Sequence, residues 1–339
     1  ERLRLKRSQR PQPLRDDKVI TAWNGMMIHA LAEAGFLLNE LRYQEAAEKA
    51  AEAIERTNRT EKGKLLRATL GGRGSLDAVQ QDYVCLARGY ISLFDLTGKE
   101  TWLERARALT DEMIEHFWDE KGGGFFLTAA DKSNEGLSRV KESYDGAVPS
   151  GNSCALEVLY LCYHRTGTPL YREYAEKLLA AFSGKCADQP AAYTYLLQAA
   201  AGLLSGETGP RQYGAGGAVA AEAVISDELL TLTLEIKSGF YLYAPLPEQE
   251  SLNSVTMRLA EQYDNLDMGE VSYPRPDRSV IKGEDVYIYR DRIVLSAPLS
   301  RQQGGDQVLR VPAVTVHYQA CSNKSCLKPE TLTLLPRIA

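Results

Sequence analysis

The sequence predicts a two-part chain: a multidomain protein that is α-helical first and all-β second. Three observations support this. Apolar residues recur at helical spacing from residue 17 to about 205; a Gly-rich stretch, GETGPRQYGAGG, follows at 206–217; and beyond it the hydrophobic period drops to two. The expected organisation is a helical-hairpin domain over 1–205, a linker over 206–217 and a β-sandwich domain over 218–339. At 339 residues the chain exceeds what one core usually serves.

The first fifteen residues carry six Lys/Arg against one Glu and read as a solvated segment. In DKVITAWNGMMIHALAEAGFLL, Val19, Ile20, Trp23, Met27, Ala30, Leu31 and Ala34 fall at helical spacing, with Asp16 or Asp17 placed to cap the start. Further helices are expected near 43–57, 77–97, 100–117, 151–166, 170–182 and 190–204. Short turns with a terminal Gly join them in pairs. TGKETWLERA and TGTPLYREYA form a weak internal repeat. Helix pairs in series imply a stacked or toroidal array. Two longer connections, NRTEKGKLLRATLGGRGS and WDEKGGGFFLTAADKSNEGLSRVKESYDGAVPS, interrupt it and are expected to hold small hairpins. After the linker, LLTLTLEI, VYIYRDRIVLSAPL, VLRVPAVTVHYQA and ETLTLLP alternate and are rich in β-branched and aromatic residues, as sandwich strands are.

Composition excludes several function classes. With 44% hydrophobic and 25% charged residues the chain is globular, and a net charge of −5 gives no nucleic-acid footprint. No apolar run reaches bilayer-spanning length. The chain begins at Glu1 without a signal peptide and reads as part of a longer protein, which leaves the compartment open.

The chemically distinctive stretch is VTVHYQACSNKSCLKPETLTLLP, with Cys321 and Cys326 flanking four residues. If the runs on either side form a hairpin, the cysteines face each other at about 4.5–5.5 Å between Cα atoms, which suits a disulfide. Pro329 lacks a backbone donor and marks a strand edge where a partner thiol could approach. A metal site needs about four ligands, and His317 alone accompanies the pair, so no metal is expected. No cofactor is indicated. A structural staple would close a short loop for roughly 2 kcal/mol. Spacing alone leaves staple and redox switch open.

YQACSNKSCLKPETLTLLP resembles the active-site hairpin of the amino-terminal domain of DsbD, a thiol:disulfide interchange protein. IKSGFYLYAPL and VYIYRDRIVLSAPL resemble two further strands of that domain, in the same order. The resemblance implies an immunoglobulin-like fold, a reversible Cys321–Cys326 disulfide, and Tyr241, Tyr243, Tyr289 and Gln319 as neighbours. It also implies thiol–disulfide exchange with a thioredoxin-like domain or protein, and weakly favours an extracytoplasmic location. The loop between the cysteines is one residue shorter than in the best-known examples, and the segment corresponding to an aromatic cap, Val280–Gly283, holds no Phe.

In the helical half, RPQPLRDDKVITAWNGMMIHALAEA, QQDYV, TWLERA, GGGFFLTAAD and YDGAVPSGNSCALEVL resemble the YyaL, or spermatogenesis-associated protein 20, family from about residue 10 to 205. Members combine a thioredoxin-like domain with an (α/α)6 toroid related to sugar epimerases and six-hairpin glycosidases. About seven helices are present here, so a partial toroid is implied. Asp16, Asp17, Asp82 and Asp145 lie at loops or helix starts that could share a rim and serve acid–base work on a small sugar. Trp23, Asn24, Tyr83, Ser150 and Asn152 complete the expected binding set. Capping or core packing is the competing role for each. Gln81 stands where the family usually carries an acidic residue. The remaining cysteines, Cys85, Cys154, Cys162 and Cys186, read as small core residues. The leading function is a thiol–disulfide exchange module; the alternatives are a carbohydrate-active enzyme and a non-catalytic scaffold or binding protein.

Overall fold

The computed structural model describes all residues except 131–137, 250–251, 262–265, 282 and 302–310. It packs as two compact units: residues 1–117 with 127–139, and residues 118–126 with 140–339.

The first unit is helical. It contains α1 (Arg2–Ser8), α2 (Thr21–Leu38), α3 (Leu41–Thr57), α4 (Gln80–Thr97) and α5 (Glu100–Phe117). α1 was not expected; none of its residues is buried, in keeping with a solvated basic segment. Two antiparallel hairpins, α2–α3 and α4–α5, follow the expected pairing. Asn39 and Gly98 close α2 and α4 in the left-handed conformation, which ends a helix without strain when the residue is Gly. α2 crosses α4 at Gly25 and Gly89. A Cβ on Gly25 would lie 2.5 Å from the Cys85 carbonyl carbon, so only glycine permits this approach. The first long connection holds the expected hairpin, β2 (Leu66–Leu70) with β3 (Arg73–Asp77), and adds β1 (Val19–Ile20) on the edge of β2.

The start of α2 corrects the capping expectation. The helix begins at Thr21 with Ile20 as its cap residue, and neither Asp16 nor Asp17 caps it. Asp16 instead accepts from the Lys18 backbone N–H at 3.2 Å in the exposed segment before β1. The α2 amide of Ala22 is satisfied from a distance: Asp82 Oδ1, on α4, accepts it at 3.1 Å.

The second unit begins with α6 (Gly151–Thr166), α7 (Pro169–Asp188) and α8 (Thr194–Ser205). α6 is buried on nearly every face, with Asn152, Ser153, Glu157 and Arg165 buried among its apolar residues. Gly167 closes it in the left-handed conformation. In the second long connection the described residues form a bridge between Trp118 and Phe125.

The β region contains β4 (Arg211–Gly214), β5 (Val219–Ser226), β6 (Leu229–Ile236), β7 (Phe240–Tyr243), β8 (Thr256–Leu259), β9 (Leu266–Met268), β10 (Asp277–Ile281), β11 (Glu284–Tyr289), β12 (Arg292–Arg301), β13 (Val314–Tyr318), β14 (Cys321–Ser322), β15 (Glu330–Leu334) and β16 (Arg337–Ile338). Three sheets result: β16-β5-β6-β12-β9 with β4 also on β5, β10-β11-β7-β14, and β15-β13-β8. Alternation sorts the side chains as the period of two demands. Leu230, Leu232 and Leu234 of β6, Ile293 and Leu295 of β12, and Val314 and Val316 of β13 fill one core.

Two expectations change here. Residues 206–217, expected to be a linker, are part of the fold: β4 pairs with β5, and Glu207 is buried against Arg165 and His164. VYIYRDRIVLSAPL is two strands in two sheets, broken at Arg290–Asp291, where Asp291 takes a positive φ of 58°.

Candidate redox site and comparison with known proteins

The hairpin expected around the cysteines forms from β13 and β15, with Val314 opposite Leu334 and Tyr318 opposite Glu330. The cysteines themselves depart from that ladder. At Gln319–Ala320 the chain crosses to another sheet, and Cys321 pairs with Tyr241 of β7. Cys321 and Cys326 meet as an isolated antiparallel bridge and form a disulfide, with Cα atoms 3.9 Å apart. That is closer than facing residues of a regular ladder, because the pair closes a tight loop instead of continuing one.

The loop is braced from within. The Ser322 backbone N–H donates to Ser325 O at 2.8 Å, and Ser322 Oγ accepts from the Lys324 and Ser325 amides at 3.3 and 3.2 Å. The Leu327 amide donates to Ala320 O at 2.9 Å, clamping the base of the loop. Gln319 adds a side-chain clamp: its Nε2 donates to Leu327 O at 2.8 Å, while its Oε1 accepts from Asn253 Nδ2 at 3.1 Å.

The two sulfur-bearing residues differ in environment. Cys321 is fully buried and Cys326 is exposed. Cys321 sits in a small cluster with Tyr241, Tyr243, Val286 and Ile288, with Leu252 and Ile281 packed against it. Strand alternation explains the cluster. On β7, Phe240 and Leu242 face the main core while Tyr241 and Tyr243 face the cysteine; on β11, Val286 and Ile288 do the same. The Tyr241 and Tyr243 rings meet edge-on, with centroids 5.6 Å apart. Burial, aided by Tyr243, pushes the Tyr241 phenol up to about 12, so it stays neutral beside the disulfide.

Of the expected neighbours, Tyr241 and Tyr243 are brought to Cys321, and Gln319 holds the loop. Tyr289 is not brought there: it lies on the opposite face of β11, in the main core, and donates its hydroxyl to Pro274 O at 3.0 Å. Pro329 is exposed and immediately precedes β15. Val286 and Ile288 were missed, although their i, i+2 spacing on VYIY placed them on one face. In the segment proposed for a cap, Ile281 packs against the cysteine cluster; Lys282 lies outside the described residues.

The expected sugar-site residues are mostly occupied with bracing. In the first unit, Asp82 is fully buried and accepts from the Val79 and Ala22 amides at 2.9 and 3.1 Å, with Arg67 at 3.5 Å. Burial raises its pKa. Asn24 Nδ2 donates to Ile20 O at 2.9 Å, and Trp23 is 63% exposed. Asp16 and Asp17 are exposed, paired with Lys18 and Arg15. Tyr83 is buried and lines a cleft of about 500 Å³ together with Asp77, Glu112, His116, Phe117 and Lys62. Burial raises the Glu112 carboxyl. In the second unit, Ser150 caps α6 by accepting from the Ser153 amide at 3.1 Å. Asp145 accepts from the Ser150, Tyr195 and Leu196 amides at 2.9, 2.9 and 3.2 Å. Asn152 bonds the Phe125 amide and carbonyl at 2.7 and 2.9 Å. No group of three or more metal-ligating side chains occurs among the described residues. Nor is any described helix long and apolar enough to cross a membrane.

Residues 215–337 match the family model of the thiol:disulfide interchange protein DsbD, N-terminal domain. The chain is 31% identical over 208 residues to human spermatogenesis-associated protein 20, covering 59% of this chain and 26% of that protein. It is 26% identical over 145 residues to thiol:disulfide interchange protein DsbD of Actinobacillus pleuropneumoniae, covering 42% of this chain and 21% of that protein. It thus spans about a quarter of the length of these relatives. Among solved structures, the cellobiose 2-epimerase of Spirochaeta thermophila is similar at 16% identity and a TM-score of 0.47, over 58% of this chain and 56% of that one. The chain therefore holds a region, 215–337, that matches the DsbD amino-terminal domain model, and is similar over 208 residues to spermatogenesis-associated protein 20.

Proposed function

We propose that this chain is a thiol–disulfide exchange module acting through Cys321 and Cys326. The observation that carries the reading is the asymmetry of the pair: an exposed Cys326 joined to a buried Cys321 in a braced loop. Exchange proceeds by thiolate attack on a disulfide sulfur, and access decides which sulfur is attacked. An incoming thiolate attacks Cys326 Sγ. The Cys321–Cys326 bond breaks, Cys321 Sγ leaves as a thiolate and takes up a proton, and a mixed disulfide to Cys326 remains. A second thiol of the donor then attacks the donor sulfur, releases Cys326 as a thiolate and closes the donor's own disulfide. Two electrons pass to this chain. The Tyr241 and Tyr243 rings pack against Cys321, and Tyr241, its phenol pushed up to about 12 by burial, places no competing anion beside the departing thiolate. A thioredoxin-like domain or protein is the expected donor class.

Trapping tests the assignment. Cys321→Ser leaves Cys326 free; activated as its mixed disulfide with thionitrobenzoate, Cys326 should be attacked by the thiolate of a thioredoxin-like protein lacking its resolving cysteine, which releases thionitrobenzoate and leaves a stable mixed disulfide. Cys326→Ser should form little. Equal trapping by both variants, or by neither, contradicts the assignment.

A second reading, small polar-molecule binding by the helical part, has one specific support: the cleft holding Tyr83, Glu112 and His116 beside the Phe117 ring. Its test is monosaccharide titration of the wild type and of Glu112→Gln; no binding by the wild type at 10 mM (an assay ceiling of the order of weak affinities) removes it.

A further inference from the structure

The segment from Cys321 to Pro329 contains Lys324 and Lys328 and no Asp or Glu, and both lysines are exposed on either side of Cys326. The adjoining surface adds a third cation. On β8, Arg258 lines an open cleft of about 480 Å³ whose wall also includes His317, Pro245, Leu252 and Asn253. Asn253 is the residue that bonds Gln319, which in turn bonds Leu327 O just past Cys326, so the cleft and the cysteine loop are directly connected. The one carboxylate on β8, β13 and β15, Glu330, is turned to the other face, where it accepts from Tyr318 Oη at 3.3 Å and from the Ala215 amide at 2.6 Å. Among the described residues, the cysteine loop and the cleft beside it therefore present cationic groups, with an apolar wall beside them.

Resting on the exchange reading above, we infer that the thiol donor for Cys326 is anionic at its contact surface: a protein whose reactive thiol is flanked by carboxylates that meet Lys324, Lys328 and Arg258. Clefts lined by one sign of charge raise the encounter rate with opposite charge, and like charge against the lysines slows the wrong donor. Positive charge also favours the transition state, in which negative charge spreads over the attacking, central and leaving sulfurs.

The test uses three dithiols on the full chain: dihydrolipoate, which is anionic; dithiothreitol, which is neutral; and dithiobutylamine, which is cationic. Each delivers two electrons and two protons to Cys321–Cys326 and closes its own disulfide. Second-order rates are normalised to each reagent's rate on a small neutral disulfide, which removes differences in intrinsic nucleophilicity. At low ionic strength the normalised rates should fall in the order dihydrolipoate, dithiothreitol, dithiobutylamine, with about threefold or more between the extremes. Molar salt should bring the ratio close to one. Lys324→Glu combined with Lys328→Glu should invert the order, and the salt titration of the wild type decides the matter even if that variant does not fold. Equal normalised rates at low salt, or an order unaffected by salt, overturn the inference while leaving the exchange reading intact. Failure of all three dithiols to reduce the bond overturns the exchange reading itself.

Discussion

Glu207 accepts from His164 Nδ1 at 2.9 Å and from both terminal nitrogens of Arg165 at 3.0 Å, with the Arg165 side chain 3% exposed. Burial acts to raise its pKa, but the charge of Arg165 and the hydrogen bonds from His164 and Arg165 hold it at about 2, below the ordinary 4.5. A depressed carboxylate contributes stability that is complete above the unfolded value and lost as pH falls toward the folded one. The urea midpoint of the wild type should therefore fall between pH 5 and 2, and Glu207→Gln should flatten that dependence. At neutral pH, Glu207→Gln leaves Arg165 buried beside a neutral partner and should cost about 3 kcal/mol. An unchanged midpoint at neutral pH contradicts this. Asp145 makes a parallel case. The sequence offered it as a catalytic carboxylate, yet both its oxygens serve backbone amides, of the α6 cap residue Ser150 and of Tyr195 and Leu196 in α8. Asp145→Ala should cost roughly 2–4 kcal/mol in denaturant titration, since it strands amides that have left water. An Asp in a Gly-containing loop reads the same whether it brackets substrate or brackets backbone, so sequence could not separate the roles. For Cys321 and Cys326 it could, because two cysteines between alternating runs have few geometries open to them.

The helices from α2 to α8 were legible from their apolar spacing, but not which apolar residues face inward; α1, exposed throughout, has no such pattern. On α2 the buried line is Gly25, Ile28, Ala32 and Gly35, while the bulkier Trp23, Met27 and Leu38 are exposed. Close helix packing favours the small residues, which apolar spacing does not separate from Trp23 and Met27. Gly25→Leu should therefore lower the melting temperature sharply, with a cost above about 3 kcal/mol, because the side chain meets the α4 backbone and not a movable group. Trp23→Gln should change the stability of this chain by less than about 0.5 kcal/mol. Similar melting shifts for the two variants would mean that α2 is rotated from the position described. In the β region the period of two located most strands. It did not show that the chain changes sheets at Gln319–Ala320, since apolar residues recur at Val314, Val316, Tyr318 and Ala320 up to that point; at Arg290–Asp291 the charged run Arg290–Arg292 interrupts the alternation, and the sheet changes there.

At the scale of the whole chain, the change from helix to strand near residue 206 was plain in composition, and the matched domain at 215–337 begins close to it. The packing division falls elsewhere: α6, α7 and α8 belong to the same compact unit as the β region, and residues 206–217, rich in Gly and polar groups, join them through β4 and Glu207. Composition detects where the chain turns often, not whether its turns are buried. The central claim is that Cys321–Cys326 is a working disulfide, and its reduction potential tests this most directly. Equilibrating the chain with glutathione and thioredoxin buffers and counting free thiols at each poise gives the value. Structural disulfides lie below roughly −300 mV, and labile or catalytic ones are more oxidising. With Cys326 exposed for attack, the potential should lie above that boundary, within reach of a thioredoxin-like donor. A potential well below it would make the pair a staple and contradict the exchange function.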